Sequence, residues 1–83
     1  MRRKYTEEDK AFLRLFGERL RMLREKENLS QADLEIDAKM SKNQIGRIER
    51  GEISTSVTNL NLIAQALKLE VKDLFDFSEN SKV

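Results

Sequence analysis

Residues 30–51, SQADLEIDAKMSKNQIGRIERG, constrain this chain more than any other stretch. Ser30 is followed three positions on by Asp33, and Ser41 by Gln44. Each pair has the capping-box form, in which side chains satisfy the free amides at a helix start. Two helix starts this close leave room only for two short helices with a tight turn between them. The apolar positions Leu34, Ala38, Met40, Ile45 and Ile48 give each short helix one buried face. Gly51 follows as a stop, because glycine readily takes the left-handed conformation that closes a helix.

The face opposite Ile45 and Ile48 carries Lys42, Asn43, Gln44, Gly46, Arg47 and Arg50, with Glu49 as its one acid. Asparagine and glutamine can bond adenine in the DNA major groove in a bidentate way, and arginine or lysine can bond guanine. Gly46 would let the helix backbone approach a surface closely, at about 1 kcal/mol of helix propensity. By composition alone an ordinary solvated helix face is the favoured reading. The geometry of two short helices, a helix-turn-helix, is what would present it to a partner.

The motifs SQADL, IGRIERG and SVTNLNLIAQALKLEVKDLF stand in this order. Their residue types and spacing resemble the lambda-repressor/Cro-like helix-turn-helix family, also called the xenobiotic-response-element family, over about residues 16–77. The resemblance implies an all-α, compact five-helix domain and a sequence-specific DNA-binding transcriptional regulator, a repressor or autoregulator. It implies that Lys42, Asn43, Gln44 and Arg47 read base edges, and that Gln31, Ser41 and Arg50 hold phosphates or position the recognition helix. Gln31 would either take a phosphate or buttress that helix. Gln44 would be less free for bases if it completed the Ser41 capping box. The resemblance also pairs Arg24 with Glu49 as a partly buried lock between the first helix and the recognition helix. Phe75 and Phe77 either close the core or belong to a homodimer interface, and a dimer would read a pseudo-palindromic operator.

Two positions depart from the family pattern. Glu35 stands where a small alanine usually lets the two short helices pack closely, and Lys39 where glycine usually makes the turn. The Glu35 carboxylate would have to reach solvent or a cation such as Lys39 or Arg47. Lys39 would have to take an unusual backbone conformation or widen the turn.

The rest of the chain fits one domain. At 83 residues a single core is marginal, and dimerisation often helps. Arg2, Arg3 and Lys4 make residues 1–5 a flexible basic arm, either simply solvated or reaching along DNA. Residues 6–77 form the domain, opening with a Thr6–Asp9 cap and a long helix to about Glu27 whose stripe is Phe12, Phe16, Leu20 and Leu23. Asn28 suits a left-handed cap there. Ser56 caps a fourth helix with Val57, Leu60, Ile63, Ala64 and Leu67 inward, and Leu69, Val71, Leu74, Phe75 and Phe77 supply a short fifth helix and an apolar tail. Residues 78–83 read as a frayed end.

The net charge of +1 is low for a nucleic-acid binder, but the charges segregate. Lys39, Lys42, Arg47 and Arg50 cluster, while Glu7, Glu8, Asp9, Glu70, Asp73, Asp76 and Glu79 collect elsewhere. One basic face suffices for phosphate contact. With no Cys and no His, disulfides, thiolate chemistry and the usual zinc sets are excluded, so no metal and no cofactor is expected. No paired carboxylates suggest a pocket, which argues against an enzyme. No stretch is apolar enough to span a bilayer and no signal-peptide pattern opens the chain, so the expected location is cytoplasmic, bacterial or phage, on the nucleoid. The expected partners are double-stranded DNA and a second copy of the chain, with no membrane. The alternative is an antitoxin-like interaction module, with a protein partner from a toxin–antitoxin or restriction–modification system.

Overall fold

The computed structural model describes residues 4–80, so Arg2 and Arg3 of the expected arm and residues 81–83 of the expected frayed end lie outside the described residues. Four α-helices follow one another: α1 (Glu7–Lys26), α2 (Gln31–Asp37), α3 (Gln44–Glu49) and α4 (Val57–Ala66). The expected fifth α-helix is instead two 3₁₀ turns, Val71–Phe75 and Phe77–Glu79. No strand occurs among the described residues. The fold is all-α.

Local chemistry sets the helix starts. Thr6–Asp9 and Ser30–Asp33 form reciprocal capping boxes, and the Ser56 hydroxyl accepts from the Asn59 amide. The Asp33 carboxyl is held below the usual range, first by its bond from the Ser30 backbone N–H and then by the Ser30 hydroxyl.

All four helices end in the same way. Asn28, Lys39, Gly51 and Lys68 stand one residue past the cap with φ of 58°, 57°, 74° and 62°. The next residue's N–H returns to the helix: Leu29 to the Arg24 carbonyl, Met40 to Glu35, Glu52 to Arg47 and Leu69 to Ala64. This is the Schellman closure, which satisfies carbonyls that would otherwise lack partners. Lys39 therefore makes the turn by adopting the left-handed conformation rather than by widening it. Both lysines bear the Cβ crowding that Gly51 avoids, roughly 1–2 kcal/mol each.

Phe16, Leu20 and Leu23 of α1 pack with Leu34, Ala38, Ile45, Ile48, Ile63, Ala64, Leu67 and Leu74 in one buried cluster. Helix α3 packs on α1 and α2, α4 on α2 and the first 3₁₀ turn, and both 3₁₀ turns on α1. Two stripe positions do not follow periodicity. Phe12 is 49% exposed and Val57 79% exposed, because each lies near its helix's N-terminal end, where few neighbours cover it. The described end is tied down where fraying is expected. Buried Arg19 donates to the Asp73 carbonyl and to the Glu79 carboxylate, and the Asn80 side-chain amide donates to the Leu15 carbonyl. The Arg19 bond, with help from Lys26, holds the Glu79 carboxyl below its ordinary value.

Gly17 brings α1 against the end of α3. A Cβ there would lie 2.3 Å from the Glu49 carbonyl oxygen and 2.6 Å from that of Ile48, so the backbones touch where a side chain would stand. Gly17→Ala should therefore force α3 away from α1 and cost about 2–3 kcal/mol in denaturant unfolding, as overpacked sites do. An unchanged unfolding midpoint would show that α3 can shift freely.

Candidate nucleic-acid interface

The recognition unit is α2, the turn of residues 38–43, and α3. Helix α3 begins at Gln44, later than the Ser41 cap in the sequence reading. Its N-cap is Asn43, at φ 71°, which makes no side-chain cap bond. The Ser41 backbone carbonyl, rather than its hydroxyl, accepts from the Gln44 amide at 3.3 Å. Lys42 and Asn43 therefore stand in the turn, immediately before the helix. Gln44 is not held in a capping box, and its side chain has no hydrogen-bond partner among the described residues. It lines a small polar recess with Lys39, Met40, Ser41 and Asn59.

A six-residue helix without its own cap needs help from outside. Glu35 supplies it. Its carboxylate, on α2 and only 7% exposed, accepts from the Ile45 backbone N–H at 3.0 Å. The expectation that the Glu35 carboxylate would reach solvent or a cation such as Lys39 or Arg47 is not met. The carboxylate turns inward, to the positive end of the α3 dipole, where an anion is favoured.

The other end of α3 is held by an ion-pair network. Arg24 Nε and Nη2 bond the Glu49 carboxylate at 2.6 and 3.1 Å, and Arg24 Nη1 bonds the Leu29 carbonyl at 2.8 Å. The side chains are 11% and 3% exposed, so the charges meet largely out of water. Gln31 Nε2 adds a bond to the same Glu49 carboxylate at 3.0 Å, tying α2 to α3. The Glu49 carboxylate keeps the Arg24 guanidinium above its ordinary value despite burial. Gln31 thus buttresses α3.

On the turn and α3, what remains outward is basic and polar. Lys39, Ser41, Lys42, Asn43, Arg47 and Arg50 are exposed, and Gln44 is half-buried. Gly46 does not share this face. It is buried beneath the Gln31 and Arg50 side chains, so its small size accommodates neighbours within the protein rather than an approaching surface. Sequence reasoning also missed Glu52, which sits among the cations: Arg50 Nε bonds it at 2.6 Å and Arg47 Nε lies 3.7 Å away. The signal is in the spacing, since a Schellman closure returns the residue after Gly51 to the last turn of α3.

Elsewhere on the domain, Phe75 and Phe77 pack with Phe12 and Phe16. Ring centroids are 5.1 Å apart for Phe16–Phe75 and 5.7 Å for Phe12–Phe77. Phe77 is half-buried on the core, whereas Phe75 remains 39% exposed beside Phe12. An apolar cleft runs from Phe12 and Phe75 to Ile53 and Leu60. No group of residues able to hold a metal occurs among the described residues. No helix of the described residues is long and apolar enough to cross a membrane.

The Glu35 cap is open to test. Glu35→Ala leaves the buried Ile45 N–H without its acceptor and should cost about 1–3 kcal/mol, whereas Glu35→Gln keeps an acceptor oxygen and most of the stability. Denaturant unfolding of both variants checks this; equal losses would place the effect in packing or charge rather than in the cap.

Comparisons with known proteins agree with this geometry. The helix-turn-helix domain family matches residues 15–75. The control protein C.BamHI of Bacillus amyloliquefaciens is 38% identical over 65 residues, covering 77% of this chain and 80% of that one. The crystal structure of the restriction-modification controller protein C.AhdI from Aeromonas hydrophila superposes with a TM-score of 0.77 at 38% identity, over 78% of this chain and 98% of that one. The clp gene regulator ClgR from Corynebacterium glutamicum shares the fold, with a TM-score of 0.76 at 23% identity, over 84% of this chain and 74% of that one. On these matches the chain belongs to the lambda-repressor/Cro-like helix-turn-helix family of DNA-binding transcriptional regulators.

Proposed function

We propose that this chain is a repressor or autoregulator of the restriction–modification controller type. It binds a pseudo-palindromic operator as a homodimer, in the bacterial or phage cytoplasm and without catalysis. The observation that carries this reading is the exposed basic and amide face at the N-terminal end of α3, on a helix fixed at both ends. In helix-turn-helix docking, the N-terminal residues of the second helix meet base edges in the major groove. Lys42, Asn43, Gln44 and Arg47 are the base-reading residues in this proposal. Ser41 and Arg50 hold phosphates, and Gln31 positions α3 through Glu49. The described basic turn and helix are enough for phosphate contact on a near-neutral protein.

The dimer proposal rests on the aromatic flank. Phe12 and Phe75 are large, half-exposed and mutually packed, and aromatic rings are enriched at protein interfaces. A two-fold dimer would set two copies of α3 roughly 34 Å apart, one helical turn of DNA.

Fluorescence anisotropy with the duplex upstream of the chain's own gene, against a random duplex across a salt series, tests the reading. Binding should be at least about 10³-fold tighter to the upstream duplex, with log affinity falling as log salt rises. Arg47→Ala should weaken upstream binding by about 1–3 kcal/mol and narrow the preference. Equal affinity of the wild-type chain for both duplexes would overturn the reading.

A further inference from the structure

We infer that Glu52 is an internal competitor of DNA phosphate, which occupies Arg50 and Arg47 in the free protein and lowers its affinity for DNA. The inference rests on the proposal that the α3 face binds DNA.

Three of the four helix closures place a hydrophobic side chain just past the left-handed residue. Leu29, Met40 and Leu69 there pack against the core. After α3 the same position is Glu52, and its N–H bond to the Arg47 carbonyl, 3.0 Å, fixes its backbone against the last helical turn. The carboxylate has no core to enter. It takes Arg50 through Nε and Nη2 at 2.6 and 3.5 Å and lies 3.7 Å from Arg47 Nε. The two cations proposed for phosphate and base contact thus converge on one anion that belongs to the protein.

The arrangement is phosphate-like in charge and in its two-oxygen fork, which arginine bonds well. The Arg50 bond also holds the Glu52 carboxyl below its ordinary value, so it is an anion throughout the neutral range. For Arg50 or Arg47 to reach DNA, Glu52 must be released, and it then stands as a negative charge near the phosphates. The side chains are 47–58% exposed, so water and salt screen the pair and the effect is bounded. It should be a modest damper on binding rather than an off switch.

Glu52→Gln removes the charge and keeps the size. Its binding to the upstream and random duplexes is compared with wild type and with Glu70→Gln, which makes the same charge change outside the helix-turn-helix unit. Glu52→Gln should tighten binding to both duplexes roughly two- to fivefold beyond the Glu70→Gln effect. Its plot of log affinity against log salt should be steeper by up to about 0.9. An affinity equal to that of Glu70→Gln would overturn the inference. So would weaker binding, which would make Glu52 a support that orients the arginines. A wild-type chain that shows no preference for the upstream duplex overturns the functional proposal instead. That result leaves the comparison of Glu52→Gln with Glu70→Gln on the random duplex readable by itself.

Discussion

The recognition helix depends on the buried pairing of Arg24 with Glu49. A six-residue helix has too few internal hydrogen bonds to persist alone, so its place must come from tertiary contacts. Arg24 spends three nitrogens on this: two on Glu49, and one on the Leu29 carbonyl at the turn between α1 and α2. Its net stabilisation is small, because both charges are taken from water. Losing one partner is a different matter, since the other is left charged and buried, at about 3–5 kcal/mol. The pair therefore fixes geometry more than it adds stability. The backbone contact at Gly17 lies at the same end of α3, so side chain and main chain register one helical turn together.

The opposite end is held by a different device. Glu35 caps α3 from a neighbouring helix, and the two anions, Glu35 and Glu49, bracket the apolar Ile45 and Ile48 that α3 buries. With the ends fixed inward, the polar side chains of the turn and of α3 face solvent. Specific DNA reading needs this rigidity, because a bidentate base contact tolerates little displacement.

Much of this was legible in the sequence because its causes are local. The caps at Thr6, Ser30 and Ser56 and the closures at Asn28 and Gly51 follow from residue types within a few positions. The Arg24–Glu49 contact is long-range, and only the family resemblance, not spacing, pointed to it. What stayed hidden depends on where a side chain goes in three dimensions. Ser41 fits a capping box on paper, yet its backbone carbonyl takes the Gln44 amide, Glu35 takes the next amide at Ile45, and the helix starts at Gln44. Lys39 and Lys68 hold left-handed positions that residue type argues against, because the Schellman bonds and the core contacts of Met40 and Leu69 outweigh the crowding. Arg19 falls within the apolar stripe of α1 and is buried by the 3₁₀ segment that its guanidinium bonds. Val57 fits the helical period but is the first residue of its helix and stays exposed, and Phe12 is covered only in part, by the Phe75 and Phe77 rings.

The measurement that tests this account most directly is a double-mutant cycle on Arg24 and Glu49, read by denaturant unfolding. Arg24→Met and Glu49→Leu should each lose about 3–5 kcal/mol, because each strands a buried charge. The double variant should lose clearly less than the two together, with a coupling above about 1 kcal/mol. Losses that add to within about 0.5 kcal/mol would mean the two residues act separately, and the placement of α3 would then rest on its apolar contacts rather than on this pair.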